Sequence, residues 1–337
     1  MDKMTAHYLK LANSHKTLSF DKQKSLTVQR QAIKEKYLEL LRMPGKREKI
    51  PVSIEYEKHD SPEFDEIRFL METESDFCAP AHLLLPKSRE RGEKLPVVIC
   101  LQGHSTGMHI SLGRCLYPGD EKSIGGDRDI ALQAVRRGYA AVALEQRGFG
   151  EQKTGVPGGA MCHQIAMQSL MVGHTLLGER IHDIRCLVSA LGQFESLDAS
   201  RVAVMGNSGG GTASYHAAAA IPEITAVLAS CSFNRYDASI MSIYHCACNY
   251  IPGIAEYMEM EDLAVLIAPR PLLVVNGRKD EIFPLNAAQS AFETVKEIYK
   301  AAGAPENCRM VIGEGGHRFY AKDAWPVFEE MFSVQHS

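Results

Sequence analysis

Val202-Ala203-Val204-Met205-Gly206-Asn207-Ser208-Gly209-Gly210 is an apolar run that breaks into a serine flanked by glycines. The spacing is G-x-S-x-G. A serine held on a sharp strand-to-helix turn needs very small residues two positions away on either side, because the backbone doubles back on itself. The hydroxyl then projects above a sheet, at the N-terminus of the next helix, whose dipole favours a developing anion. The flanks suit this reading, since the run before Gly206 is strand-like and Ala213–Ala220 is rich in close-packing alanine. A glycine-rich turn with a passive serine is the plain alternative. The strand and helix signals on either side weigh against it.

Outward from this stretch, the pattern repeats. Leu95–Leu101 ends in Gln102-Gly103-His104, and Ala140–Leu144 in Glu145-Gln146-Arg147-Gly148. Ile224–Ala229, Pro271–Val275 and Arg309–Ile312 are further apolar runs that end in polar or glycine-bearing loops. Such runs suit strands buried on both faces of a parallel sheet. Helical patterns lie between them: Ile181, Ile184, Leu187 and Leu191 share one face, and so do Phe292, Val295 and Tyr299. This alternation predicts an α/β fold, a doubly wound, mostly parallel sheet with helices on both faces. Ligands bind such sheets beyond the C-terminal strand ends. Residues 1–43 read as helical and stop at Pro44-Gly45, with Ile67–Met71 and Ala81–Leu85 as short strands and Pro86–Lys94 as a hairpin loop. The expected division is an N-terminal helical and β extension over 1–75, packed on a main domain over 76–337.

Composition narrows the function. The chain has 337 residues, 45% of them hydrophobic, with 37 basic and 41 acidic residues for a net charge of −4. No basic stripe favours nucleic acid. No run approaches the roughly 18 apolar residues of a membrane span, and the polar stretch Met1–Phe20 lacks the apolar core of a leader. The nine cysteines are odd in number, and several sit in apolar runs. That suits free thiols in a reducing cytoplasm. Assembly as a homo-oligomer stays open.

A serine hydroxyl needs a base. Of 13 histidines, only His317 follows a late apolar strand, in Gly313-Glu314-Gly315-Gly316-His317. Glycines there suit a mobile loop that brings an imidazole over the sheet. The imidazole needs an acidic partner. Asp280, just past Leu272–Val275, completes the order Ser208, Asp280, His317 expected of this strand–turn–helix arrangement, with the adjacent Glu281 open as the alternative acid. Acyl transfer also needs two donors for the oxyanion. The backbone N–H groups of Gly209 and His104 are the candidates, with Gly103 allowing close approach and the His104 side chain lining the wall.

These pieces resemble the α/β hydrolases related to dienelactone hydrolases and acetyl xylan esterases. The resemblance covers roughly residues 80–335. It is carried by Gln102-Gly103-His104, Arg147-Gly148-Phe149-Gly150, Gly206-Asn207-Ser208-Gly209-Gly210, Ala268-Pro269-Arg270-Pro271, Asn276-Gly277-Arg278-Lys279-Asp280 and Gly316-His317. It implies the α/β-hydrolase fold and a Ser–His–Asp triad. The chain departs from the pattern at Gln102, where relatives more often carry His, and at Glu145, where they more often carry Asp.

The expected function is hydrolysis of carboxylic esters with small acyl groups, through an acyl-enzyme intermediate. Amide, peptide or thioester cleavage by the same triad is the first alternative. A non-catalytic binding protein on the same fold is another, although no triad member is missing. The segment 232–261 is long for a connection and apolar, so it is expected to cap the site. Tyr244, His245 and Tyr250 are then substrate-facing, along with Gly103 and Asn207. His245-Cys246-Ala247-Cys248 places Cys-x-Cys beside a histidine. A zinc site usually needs four ligands, and the sequence shows no second cluster. The cysteines therefore read as buried thiols, with no metal and no cofactor expected. Arg147 reads as a loop brace, and Arg180, Asp183 and Arg185 as a solvated helix face.

Overall fold

The computed structural model describes residues 2–14, 16–155 and 158–333. Nine strands form one sheet: β1 (Val52–Lys58), β2 (Phe64–Glu74), β3 (Phe77–Pro86), β4 (Leu95–Leu101), β5 (Ala140–Leu144), β6 (Leu197–Asn207), β7 (Ala226–Ser230), β8 (Leu272–Gly277) and β9 (Cys308–Gly313). Their spatial order is β1-β2-β3-β5-β4-β6-β7-β8-β9. The first three strands and the β3–β5 contact are antiparallel, and every pairing from β5 to β9 is parallel. Among the described residues, the helices of six or more residues are α1 (Lys3–Ser14), α2 (Leu26–Leu41), α3 (Ile130–Val135), α4 (Cys162–Met171), α5 (Leu176–Ala190), α6 (Gly209–Ala220), α7 (Leu285–Ala301) and α8 (Ala321–Ser333). This is the α/β-hydrolase fold.

Alternation along the central strands shows why the runs are apolar throughout. Val97, Ile99 and Leu101 of β4 enter one core with Ile181, Ile184 and Leu187 of α5. Val98 and Cys100 enter the opposite core, with Ile130 and Ala134 of α3 and Trp325 and Phe328 of α8. Successive side chains of a strand point to opposite faces, so a strand covered on both faces carries no polar residue between its ends.

Two local expectations need correction. Pro86–Lys94 does not close a hairpin, because β3 and β4 are separated in the sheet by β5. The hairpin of this region is β2–β3, closed at Ser75-Asp76, with Asp76 at a φ of 61°. The face of α5 bearing Arg180 and Asp183 is buried, at 1% and 2% exposure. Arg147 grips Asp183 with two hydrogen bonds of 2.8 Å and also reaches Glu74 at 2.6 Å. The loop after β5 and the end of β2 cover this helix face, which a helical wheel alone assigns to solvent.

The N-terminal helices pack on the main body. Tyr37 of α2 is fully buried, and its hydroxyl lies 2.9 Å from His216 Nδ1. Arg30 donates to the carbonyls of Val265 and Ala268. The segment 232–261 holds only short 3-10 turns, at Ala247–Asn249, Ile254–Glu256 and the start of Met260–Leu263. Among the described residues, no helix is long and apolar enough to cross a membrane.

The strand order places a switch point at β4. The chain leaves β4 for β5 on one side and returns to β6 on the other, so the loops after β4 and β6 diverge over a crevice. The candidate chemistry lies there.

Candidate active site

Ser208 sits at φ 56° and ψ −124°, a conformation that a non-glycine residue rarely adopts. The turn that imposes it is packed backbone to backbone. A Cβ on Gly206 would lie 2.4 Å from the Gly210 carbonyl carbon, and one on Gly210 would lie 2.1 Å from the Leu101 carbonyl oxygen. The Ser208 N–H donates to Ser230 O at 2.8 Å, and Thr212 N–H donates to Ser208 O, so the elbow is anchored on both sides. The serine is half-buried and stands at the start of α6, whose first N–H groups lack intrahelical partners.

His317 Nδ1 lies 2.8 Å from Asp280 Oδ2. The other carboxylate oxygen accepts the N–H groups of Ile282 at 2.9 Å and Phe283 at 3.1 Å. Burial works against the Asp280 charge. The His317 hydrogen bond and the imidazolium charge, together with the two N–H groups, outweigh it and hold the carboxyl below its usual range. Glu281 is exposed. The Phe283 ring stacks on the imidazole at 5.9 Å between centroids. Among the described residues, no hydrogen bond links His317 to Ser208, and catalytic contacts of this kind often tighten only when substrate is bound.

The glycines before His317 serve close packing, which corrects the expectation of a mobile loop. A Cβ on Gly313 would lie 2.1 Å from the Tyr320 ring. Arg278 N–H donates to Gly313 O at 2.7 Å, Lys279 N–H to Gly315 O at 2.8 Å, and the Tyr320 hydroxyl to Gly316 O at 2.6 Å.

The loop after β4 touches the elbow. A Cβ on Gly103 would lie 2.8 Å from Asn207 O and 3.0 Å from Ser208 Cβ. The His104 imidazole stands over Gly209, where a Cβ would come within 2.8 Å of the ring. The loop that carries Gly103 and His104 therefore packs directly on the elbow at Ser208 and Gly209. The two departures from the family pattern meet here: Gln102 Nε2 donates to Glu145 Oε1 at 2.7 Å. Glu145 is 1% exposed and also accepts the Met108 N–H. Burial pushes its pKa up to about 7, against the pull of these donors.

The remaining candidates divide. Asn207 is fully buried, and its Oδ1 accepts the Ser230 hydroxyl at 3.0 Å. It braces the elbow and is not a substrate contact, because the residue before the nucleophile still points into the sheet. Tyr244 is 97% exposed. Tyr250 donates to Ile240 O at 2.8 Å. With His245, both line a pocket of about 260 Å³ bounded by α4, whose lining includes none of Ser208, Asp280 and His317. His245 is the one of the three nearest the triad, since its ring meets Phe283 edge-on at 5.3 Å. Burial, reinforced by the His104 and His317 imidazoles, pushes its pKa down to about 4.

Cys246 and Cys248 are free thiols, buried or half-buried, but they are not isolated. The second cluster exists in space: the ligand atoms of His104, Cys162, Cys246 and Cys248 all lie within 4.8 Å of one another. His245 is not among them. No spacing in the chain announces Cys162, which opens α4 far from both other cysteines.

The profile of the abhydrolase family matches residues 9–319. YtaP of Bacillus subtilis (strain 168), which bears a hydrolase name, is 24% identical over 283 residues, 82% of this chain and 89% of that protein. A Bacteroides fragilis NCTC 9343 protein bearing an acetyl xylan esterase name has a structure that superposes with a TM-score of 0.77 at 15% identity, over 93% of this chain and 82% of that one. A glucuronoyl esterase from Solibacter usitatus gives 0.70 at 15% identity, over 92% of each chain. Acetyl xylan esterase 1 from Thermoanaerobacterium sp. JW/SL YS485 gives 0.61 at 18% identity, over 90% and 94%. At these identities the likeness is one of fold.

Proposed function

The chain belongs to the abhydrolase family, and on that footing we propose that it is a serine esterase acting on carboxylic esters of small acyl groups. The observation that carries the reading is the Asp280–His317 pair at 2.8 Å, delivered to the same edge of the parallel sheet as a serine held at a φ of 56°. The ester names borne by the structural relatives support the same bond type.

In this mechanism His317 Nε2 takes the Ser208 proton as Oγ attacks the ester carbonyl. Asp280 holds Nδ1 protonated and stabilises the imidazolium. The N–H groups of Gly209 and His104 take the oxyanion as the C=O bond opens. The carbonyl re-forms, the C–O bond to the alcohol breaks, and His317 protonates the leaving oxygen. A water molecule, deprotonated by His317, then attacks the acyl-serine and returns the enzyme with a free acid.

The small-acyl preference rests on segment 232–261, which brings His245 to the Phe283 ring above His317. The test is fluorophosphonate labelling located by peptide mass spectrometry, followed by p-nitrophenyl esters of increasing acyl length and matched amide and thioester substrates. Labelling of Ser208 with kcat/KM highest for acetate or propionate is the expected result. Absence of label removes the serine-hydrolase reading. Equal kcat/KM from acetate to octanoate removes the small-acyl reading alone.

A further inference from the structure

Outside the triad, one group of side chains has the composition of a metal site. His104, Cys162, Cys246 and Cys248 come from three separate parts of the chain: the loop after β4, the first residue of α4, and the segment after β7. Their ligand atoms lie within 4.8 Å of one another. His104 Nε2 is 3.2 Å from Cys248 Sγ, and the Cys246 and Cys248 sulfurs are 3.3 Å apart. A tetrahedral zinc ion, with bonds of about 2.3 Å to sulfur and about 2.0 Å to nitrogen, holds its ligand atoms roughly 3.5–3.8 Å apart. Both separations fall a few tenths of an ångström short of that value, and no pair exceeds 4.8 Å, so small side-chain shifts close the tetrahedron.

A second observation comes from Arg180. It is 1% exposed, yet among the described residues no carboxylate lies within ion-pair distance of it. Two of its hydrogen bonds go to Arg147 O, and Nη2 points at Cys162 Sγ, 3.2 Å away. A buried cation needs a counter-charge nearby. Three thiolates and a neutral imidazole around a divalent ion carry one net negative charge, which the guanidinium balances. A disulfide between Cys246 and Cys248 would leave Cys162 alone to face Arg180 and would give the His104 imidazole no partner in the cluster. Phe149, Ala166 and Leu176 pack around the cluster and keep that face dry.

We infer that this protein binds a zinc ion through Cys162, Cys246, Cys248 and His104 Nε2. With all four positions filled by protein, the ion is structural and opens no site for substrate. It staples the segment after β7 and the start of α4 to the loop that supplies the His104 N–H. The His104 ring also stands over Gly209, so the ion sets the shape of the oxyanion hole without touching substrate. Zinc binding is independent of the esterase reading. Only the effect on turnover rests on it.

The experiment uses the full chain, purified under reducing conditions without added metal. Elemental analysis should find about one zinc per chain. Cobalt exchanged into the site should show thiolate-to-metal charge transfer and the visible bands of a tetrahedral ion. Cys162→Ser and Cys246→Ser should each strip most of the zinc, while Cys78→Ser and Cys115→Ser, at exposed thiols elsewhere, retain it. Removing zinc with a chelator should lower kcat with little change in KM, and zinc should restore it. Folded wild-type protein that takes up neither metal overturns the site. So does a disulfide among these cysteines in the unreduced protein, cobalt bound without thiolate charge transfer, or zinc retained in Cys162→Ser. Wild-type uptake and the cobalt spectrum decide the matter even where a serine variant fails to fold. Zinc bound without any effect on kcat leaves the site standing and removes only its link to the hole.

Discussion

Replacing Glu145 by glutamine should stabilise the protein above neutral pH and do little near pH 5. The Glu145 carboxyl is 1% exposed just past β5 and, among the described residues, meets only neutral donors: Gln102 Nε2 and the N–H groups of Met108 and Glu151. Burial outweighs these bonds and raises the pKa from 4.5 to about 7. In the unfolded chain the group ionises near 4.5, while in the folded protein it keeps its proton to about 7. Between those values the folded state binds more protons, so stability falls as pH rises, and the loss is complete above about 7. A shift of about 2.5 units corresponds to about 3–4 kcal/mol at roughly 1.4 kcal/mol per unit. Glutamine keeps the shape and cannot ionise. Its new N–H group has a waiting acceptor, since Gln102 Oε1 is buried without a partner and the Gln102 amide can turn over. Urea unfolding of wild type and Glu145→Gln at about pH 5 and about pH 8 measures the effect. The variant's advantage should grow by about 2–3 kcal/mol between the two. An unchanged difference, or a variant that loses ground at the higher pH, refutes the reasoning, because it would mean that the carboxylate is held ionised.

Ser208→Ala should cut ester hydrolysis by on the order of 10³-fold or more with an unaltered far-UV circular dichroism spectrum, and near-normal turnover of p-nitrophenyl acetate would exclude it as the nucleophile. Asp280→Asn should lower kcat by on the order of 10⁴-fold by fixing the wrong imidazole tautomer. Glu281→Gln, at an exposed side chain, should stay within a few-fold of wild type, and steady-state kinetics showing the reverse ranking would move the acid to Glu281. Arg147→Ala leaves Asp183, at 2% exposure, without its bidentate partner. It should cost about 3–5 kcal/mol in urea unfolding, and a loss below about 1 kcal/mol would show that Arg147 is not a brace.

Much of the fold was legible because its signals are local. Each central strand is buried on both faces, so it declares itself as an unbroken apolar run, as in Leu95–Leu101 and Ala140–Leu144. Val52–Lys58 carries no such signal, because it lies at the sheet edge and is mostly exposed, so burial imposes no apolar pattern on it. The elbow was equally plain, because steric crowding around Ser208 acts between residues two apart and leaves glycine as its mark.

The sequence alone therefore determined the central strands, the helices packed between the later ones, the elbow and the chain order of Ser208, Asp280 and His317, all of which depend on neighbours a few residues away. Only the tertiary structure decided the rest. It interposed β5 between β3 and β4, and buried the Arg180 and Asp183 face that a helical period assigns to solvent. It joined Gln102 to Glu145, and gathered His104, Cys162, Cys246 and Cys248 into one cluster. These contacts link residues distant in the chain, and no spacing rule reaches across them. What brings them together is the sheet, whose parallel strands deliver every following loop to the same edge whatever the length of chain between.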